Sequence, residues 1–113
     1  MLHVVDVAAS AAWYAHLGFS VQNRVHGPDG GLSWVWLQGG DAALMLARAS
    51  GTVDAGMQAA LLYVYVTELV ALHETLGTEG LGPGEICTPF YAPRGEFRLT
   101  DPDGWTVMVM QAG

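Results

Sequence analysis

Four histidines, one cysteine and eleven carboxylates are the side chains of this 113-residue chain whose chemistry depends on spacing. Their spacing assembles no catalytic cluster. His16 and His73 fall within predicted helices and His26 borders a Gly/Pro turn, places where imidazole is usually solvated or capping rather than metal-bound. Cys87 has no second cysteine for a disulfide or a zinc-type pair, and no basic neighbour in sequence to favour its thiolate. Ser10, Ser20, Ser33 and Ser50 lack the His and Asp pattern that a serine nucleophile needs. Gly30-Gly31 and Gly39-Gly40 do not make a phosphate loop. Glu96, His3 and the tyrosines remain as groups for metal-free acid–base work, a reading that needs geometry. What recurs is large flat or polarizable side chains at alternate positions: Trp34 and Trp36, Tyr63 and Tyr65, Met108 and Met110. Aromatic faces stack on planar compounds and methionines adapt to irregular ones, so the set suits binding, although the same alternation also fills an ordinary buried strand face.

Composition narrows the partners. Eleven acidic against four basic residues give a formal charge of -7, which repels nucleic-acid phosphates and anionic lipid surfaces and concentrates cationic partners. No nucleic acid and no membrane partner is expected. The same charge also serves simply to keep an apolar chain in solution. Apolar stretches run only a few residues, and no basic flank with an apolar signal core opens the sequence, so a soluble, cytoplasmic protein is expected. With 51% hydrophobic residues, the chain has material for one ordinary core and is too short for two full-sized domains.

Strands and helices must position these side chains. Runs with β character at 2–6, 19–25, 32–37 and 42–47 are separated by Gly27-Pro28-Asp29-Gly30-Gly31 and Gly39-Gly40-Asp41. Between the first two, Ala8 to Leu17 reads as a helix closed by Gly18. The order then repeats. A strand at 61–67 leads into a helix over Glu68 to Leu76, ended by Gly77, and further strands are predicted at 85–91, 95–100 and 105–111. Their breaks are Pro93-Arg94-Gly95 and Asp101-Pro102-Asp103-Gly104. A shift of about 63 positions lays Leu44-Met45-Leu46 on Val107-Met108-Val109. The predicted class is α+β: two βαβββ modules, about 1–50 and about 58–113, in a single domain spanning 1–113. A half of this size leaves too much apolar surface exposed alone, so the two are expected to pair into a cupped mixed β-sheet with helices outside.

Two segments carry a family resemblance. Asp6-Val7-Ala8-Ala9-Ser10-Ala11-Ala12-Trp13-Tyr14-Ala15-His16-Leu17-Gly18-Phe19 is similar to the pattern D-L-x-x-S-x-x-F-Y-x-x-L-G-F, and Phe97 to Trp105 is similar to F-x-x-x-D-P-D-G before a final strand. At this separation, within repeated modules, they resemble the vicinal oxygen chelate superfamily of glyoxalases, bleomycin-resistance proteins and extradiol dioxygenases. Metal-dependent members hold a divalent cation through His and Glu side chains on strands. The carboxylate expected four residues after Gly104 falls here on Met108, and its counterpart in the first module on Met45. The histidine expected at the start of the fifth strand falls on about Leu61, and the first-strand histidine would precede Met1. His3 sits about four residues late, though the strand period turns it toward the same face. Thioethers do not replace imidazole or oxygen donors for hard or borderline cations.

The resemblance is therefore strongest in character to the metal-free bleomycin-resistance branch. It implies no metal, no cofactor and no catalytic residue. It implies a non-catalytic protein that binds an antibiotic-like, aromatic or cationic small molecule, with resistance by sequestration as the consequence, and a homodimer whose partner loops close each cleft. The alternative is a metal-dependent lyase, isomerase or dioxygenase of the same superfamily with ligands at other positions. A two-residue turn at Gly39-Gly40 would set Trp34 opposite Met45 and Trp36 opposite Ala43. Phe97 is expected opposite Met108, and Leu99 opposite Thr106, on the face that also carries Met110, Tyr63 and Tyr65. With His3, and with Tyr91 and Arg94 from the loop before the seventh strand, these make the predicted ligand-binding set. Trp13, on the first helix, is expected in the core.

Overall fold

A computed structural model of the chain describes residues 1–40, 42–50 and 61–112. Asp41 of the first predicted hairpin turn, the start of the second module at about 58, and Gly113 lie outside the described residues. The fold is α+β, with two helices and two mixed sheets, and the chain divides into compact units Met1–Ala55 and Gly56–Gly113.

The first unit runs β1 (Leu2–Val4), α1 (Val7–Ala15), β2 (Ser20–His26), β3 (Leu32–Gly39) and β4 (Ala42–Arg48). Its sheet order is β1-β4-β3-β2, with β1 parallel to β4 and the other pairs antiparallel. Asp6 starts the helix: its Oδ1 accepts the Ala9 N–H at 3.0 Å and satisfies an otherwise unpaired donor. The predicted stop also holds, since Gly18 takes φ 91° and Phe19 N–H reaches back to the Tyr14 carbonyl at 3.3 Å. Val7, Ser10, Ala11 and Tyr14 recur at helical spacing and form the buried face. They pack on a sheet face carrying Val4, Val35, Leu37 and Leu46, each fully buried. Tyr14 and not Trp13 enters this core; Trp13 is half-buried and meets the Tyr14 ring edge-on.

The second unit runs β5 (Leu61–Val66), α2 (Leu69–Thr78), β6 (Glu96–Thr100) and β7 (Thr106–Gln111), with sheet order β5-β7-β6. Again the first strand pairs in parallel with the last. Glu68 makes no side-chain cap. Gln111 supplies one from β7 instead, its Oε1 accepting the Leu69 N–H at 3.1 Å while its Nε2 donates to the Thr67 carbonyl at 2.8 Å. Helix α2 buries Leu69 and Leu76, on the side of the sheet where Phe97, Leu99, Val107 and Val109 are buried. The expected stop at Gly77 is displaced: the helix continues to Thr78, and the positive φ falls on Gly80 at 83°.

Three further expectations need correction. The strand predicted at 85–91 reduces to one antiparallel bridge, Cys87 with Glu96: on one side Pro89 lacks the N–H a longer ladder requires, and on the other the register slips, with Gly84 rather than Glu85 donating to the Arg98 carbonyl at 2.9 Å. In the first hairpin Trp36 faces Met45, Trp34 faces Ala47 and Gly39 faces Ala42, so the turn is centred one residue later than Gly39-Gly40. In the second hairpin Phe97 faces Val109 and Leu99 faces Val107, while Arg98 faces Met108 and Glu96 faces Met110. The Asp101 to Trp105 connection causes this: Asp101 Oδ1 accepts the N–H groups of Asp103 at 2.9 Å and Trp105 at 2.8 Å, and Gly104 takes φ 85°. The pairing moves by one residue and reverses the side that Phe97 presents. Among the described residues, no helix is long and apolar enough to cross a membrane.

Candidate ligand-binding faces

In each module one sheet face packs on its helix, and the predicted site residues lie mostly on the other. In the first module the register aligns His3, Ala47, Trp34 and Val25 across all four strands, and Met45, Trp36 and Asn23 in the next row. Alternation places these opposite the core residues Val35, Leu37 and Leu46. Trp36 is 38% and Met45 41% exposed, Trp34 is half-buried, and His3 is exposed. A β-bulge between Val21 and Asn23 keeps Asn23 opposite Trp36. The first module thus brings together His3, Trp34, Trp36 and Met45 on one face.

In the second module Tyr63, Met108 and Arg98 form one row, and Tyr65, Met110, Glu96 and Cys87 the next. Tyr63 is 48% and Tyr65 64% exposed, whereas Met110 is buried. Phe97 does not belong here. It is 1% exposed on the helix side, with the His73 ring edge-on at 5.0 Å. His73 itself bonds the Gly84 carbonyl through Nε2 at 2.8 Å and so serves the core.

Glu96 and Arg98 occupy the face expected for Phe97 and Leu99. The sequence offers Glu96 as an acid–base candidate in the loop before this strand, and the expected register puts Phe97 and Leu99 on this face and Arg98 on the other. The available signal was the alternation of Glu96-Phe97-Arg98-Leu99-Thr100, polar on one parity and apolar on the other. Gly95 feeds this strand at φ 108°, and a Cβ there would lie 2.8 Å from Leu69 Cδ2, so only glycine fits. The preceding loop sends the Tyr91 hydroxyl to Glu96 Oε1 at 2.7 Å. That hydrogen bond, followed by burial, raises the Tyr91 pKa above the usual tyrosine value, so its hydroxyl remains a donor at neutral pH. Arg94 lies exposed on the same loop.

The divalent cation known from metal-dependent relatives does not fit these side chains. Met45 stands beside Trp36, Leu61 beside Thr106, and Met108 between Tyr63 and Arg98. Among the described residues no group of three or more His, Cys, Asp or Glu side chains is arranged to hold a metal ion. A charged pair occurs elsewhere: Arg48 Nη1 meets Asp29 Oδ2 at 3.1 Å, and Arg48 Nη2 donates to the Leu32 carbonyl at 3.0 Å. This pair ties the β2–β3 connection to the end of β4.

Comparison with known proteins agrees with this architecture. A bleomycin-binding protein, solved in complex with bleomycin, superposes with a TM-score of 0.80 at 22% identity, covering 99% of this chain and 94% of that one. A bleomycin resistance determinant encoded on transposon Tn5 gives 0.79 at 22% identity, over 97% and 92% of the two chains. TnmS3, an antibiotic binding protein from Streptomyces sp. CB03234, gives 0.74 at 16% identity, over 100% and 93%. No curated protein sequence matches the chain. The profile of the Glyoxalase/Bleomycin resistance protein/Dioxygenase superfamily matches residues 1–109. With the repeated helix-on-sheet modules and the two end motifs, that match establishes that the chain belongs to this superfamily.

Proposed function

We propose that the protein binds an aromatic or cationic, antibiotic-like small molecule without transforming it, and that it protects by sequestration. The observation that carries this reading is the open face of each sheet. Trp36, Met45, Tyr63 and Tyr65 stand 38 to 64% exposed on the face away from the helix, where a sheet packed on one side ordinarily carries polar side chains. Large aromatic surfaces left accessible on rigid strands are binding surfaces by their chemistry. The relatives named for bleomycin and antibiotic binding share the fold and support the reading. In this proposal the two modules act as one domain, the working unit is a cytoplasmic homodimer, and no metal or cofactor takes part. The candidate ligand-binding residues are His3, Trp34, Trp36 and Met45 on the open face of the first module, and Tyr63, Tyr65, Met108 and Met110 on that of the second, with Tyr91 and Arg94 at its loop.

Fluorescence titration with bleomycin-like glycopeptides, mitomycin-like quinones and aromatic polyketides tests the reading. Stacking on Trp36 quenches its emission, and Trp36→Ala weakens binding by several-fold to tens of fold, since an aromatic contact contributes about 0.5–1.5 kcal/mol beyond its burial. Trp13, half-buried on α1, is the internal control. A ligand that binds Trp34→Ala and Trp36→Ala as tightly as wild type, with the fold intact by circular dichroism, rules out the face.

A further inference from the structure

We propose that Glu96 anchors the protonated nitrogen of a cationic aromatic ligand in a cavity of the second module, bounded by β6 and the Gly84–Cys87 segment. This rests on the binding function above and specifies the charge that the site selects. Glu96 is 4% exposed, yet only half of its carboxylate is engaged. Oε1 accepts the Tyr91 hydroxyl, while Oε2 is buried with no hydrogen-bond partner among the described residues. A phenol has one proton to give, and Tyr91 directs it at Oε1. A carboxylate oxygen held out of solvent without a donor is costly, and it is the kind of group a ligand N–H satisfies.

The surroundings select the partner. Glu96 lines a cavity of about 280 Å³ together with Glu85, Cys87, Phe97, Arg98 and Met108. That volume admits a single aromatic ring and its substituent. Two carboxylates stand there against one guanidinium, and Arg98 is exposed while Glu96 is not. The buried end of the cavity is therefore anionic, and Met108 and Cys87 give it a thioether and a thiol wall. A charge-assisted N–H bond to Oε2 is the strongest contact such a site can make. Tyr63 lies beside Met108 and Tyr65 beside Met110 on the same face, giving the ring a surface to stack on.

Benzamidinium and its neutral isostere benzamide distinguish charge from shape. Both are titrated into wild-type protein and Glu96→Gln, and the rate at which a thiol reagent labels Cys87, the only cysteine, reports occupancy of this cavity. The expected result is that wild type binds benzamidinium at least about tenfold more tightly than benzamide, as a hydrogen bond to a charged group allows. Benzamidinium, at concentrations where benzamide has little effect, should slow Cys87 labelling. Glu96→Gln retains an acceptor for Tyr91 and the same shape, and it should bring the ratio close to one. Equal binding of the two compounds to wild type overturns the proposal. So does failure of benzamidinium to bind, binding without protection of Cys87, or a preference that survives Glu96→Gln. The wild-type comparison needs no variant, so an unfolded Glu96→Gln does not blunt it. If planar antibiotics quench Trp36 while benzamidinium shows no preference, the role of Glu96 fails and the binding function stands. If benzamidinium shows the preference and no planar antibiotic quenches, Glu96 stands and the antibiotic reading fails.

Discussion

Asp101→Ala should destabilise the second module far more than a loop substitution normally does. Asp101 is 4% exposed, and one of its oxygens accepts two backbone N–H groups, from Asp103 at 2.9 Å and Trp105 at 2.8 Å. Each bond to a charged acceptor contributes about 1.5–3 kcal/mol, but the two share one oxygen, and water recovers part of the loss at half-buried Trp105, so about 3 kcal/mol is expected in total. For a chain of this length that corresponds to a fall of about 10–15 °C in Tm. Urea and thermal unfolding followed by far-UV circular dichroism measure it. Asp101→Asn keeps the Oδ1 acceptor and should recover at least half of the loss. A value for Asp101→Ala within about 0.5 kcal/mol of wild type would show that the turn is held by other contacts. Equal damage from Asn and Ala would show that charge, not the acceptor, matters. In the first case the account of why Arg98 rather than Phe97 faces Met108 would lose its cause.

Gently purified protein should carry no stoichiometric zinc, nickel, iron or manganese by elemental analysis; about one metal per chain together with a chelator-induced fall in Tm would refute this. Light scattering at micromolar concentrations should give twice the 12.0 kDa chain mass, and a monomer would count against the dimer. The Asp29 pKa is lowered below its ordinary 3.8, first by the Gly31 N–H and then by Arg48, so the stability it contributes is present above that value and is lost as pH falls through the lower folded-state value. Asp29→Asn should therefore show a shallower acid limb in urea midpoint against pH, strongest at low salt because the pair is exposed. An unchanged limb would refute that linkage.

Local regularities in the sequence reached most of the fold. The two-residue period put Trp34, Trp36 and Met45 on one face whichever turn joined their strands, because moving the turn by one residue displaces the pairing by two and leaves each side chain's face unchanged. The second hairpin had no such protection. Its connection holds one residue more than the expected register allows, and that single step exchanged Phe97 and Leu99 for Glu96 and Arg98. The polar–apolar alternation along β6 carries the answer, whereas the aromatic character of Phe97 points the other way. Part of the missing strand at 85–91 was legible in Pro89, which removes a donor two residues after Cys87; the register slip at Gly84 was not. The burial of Glu96 and its bond to Tyr91 were not legible. They depend on how a loop five residues away in sequence folds back, and no local pattern encodes that.

In both sheets the last strand to be synthesised is an interior one. β4 lies between β1 and β3, and β7 lies between β5 and β6, so among the described residues β1 and β5 have no sheet partner until residues 42–48 and 106–111 have been made. On the ribosome, β5 must wait with its backbone unpaired while α2 and the 79–95 connection are translated. Its sequence, Leu-Leu-Tyr-Val-Tyr-Val, is apolar, strongly strand-forming and uncharged, the composition that promotes pairing between nascent chains. Parallel closure of distant segments is also slow. Yield in the cell should accordingly depend on how quickly the chain is completed and how long chaperones shield 61–66, and a charged substitution at an exposed position such as Tyr65 would act on that interval before it acted on the finished protein.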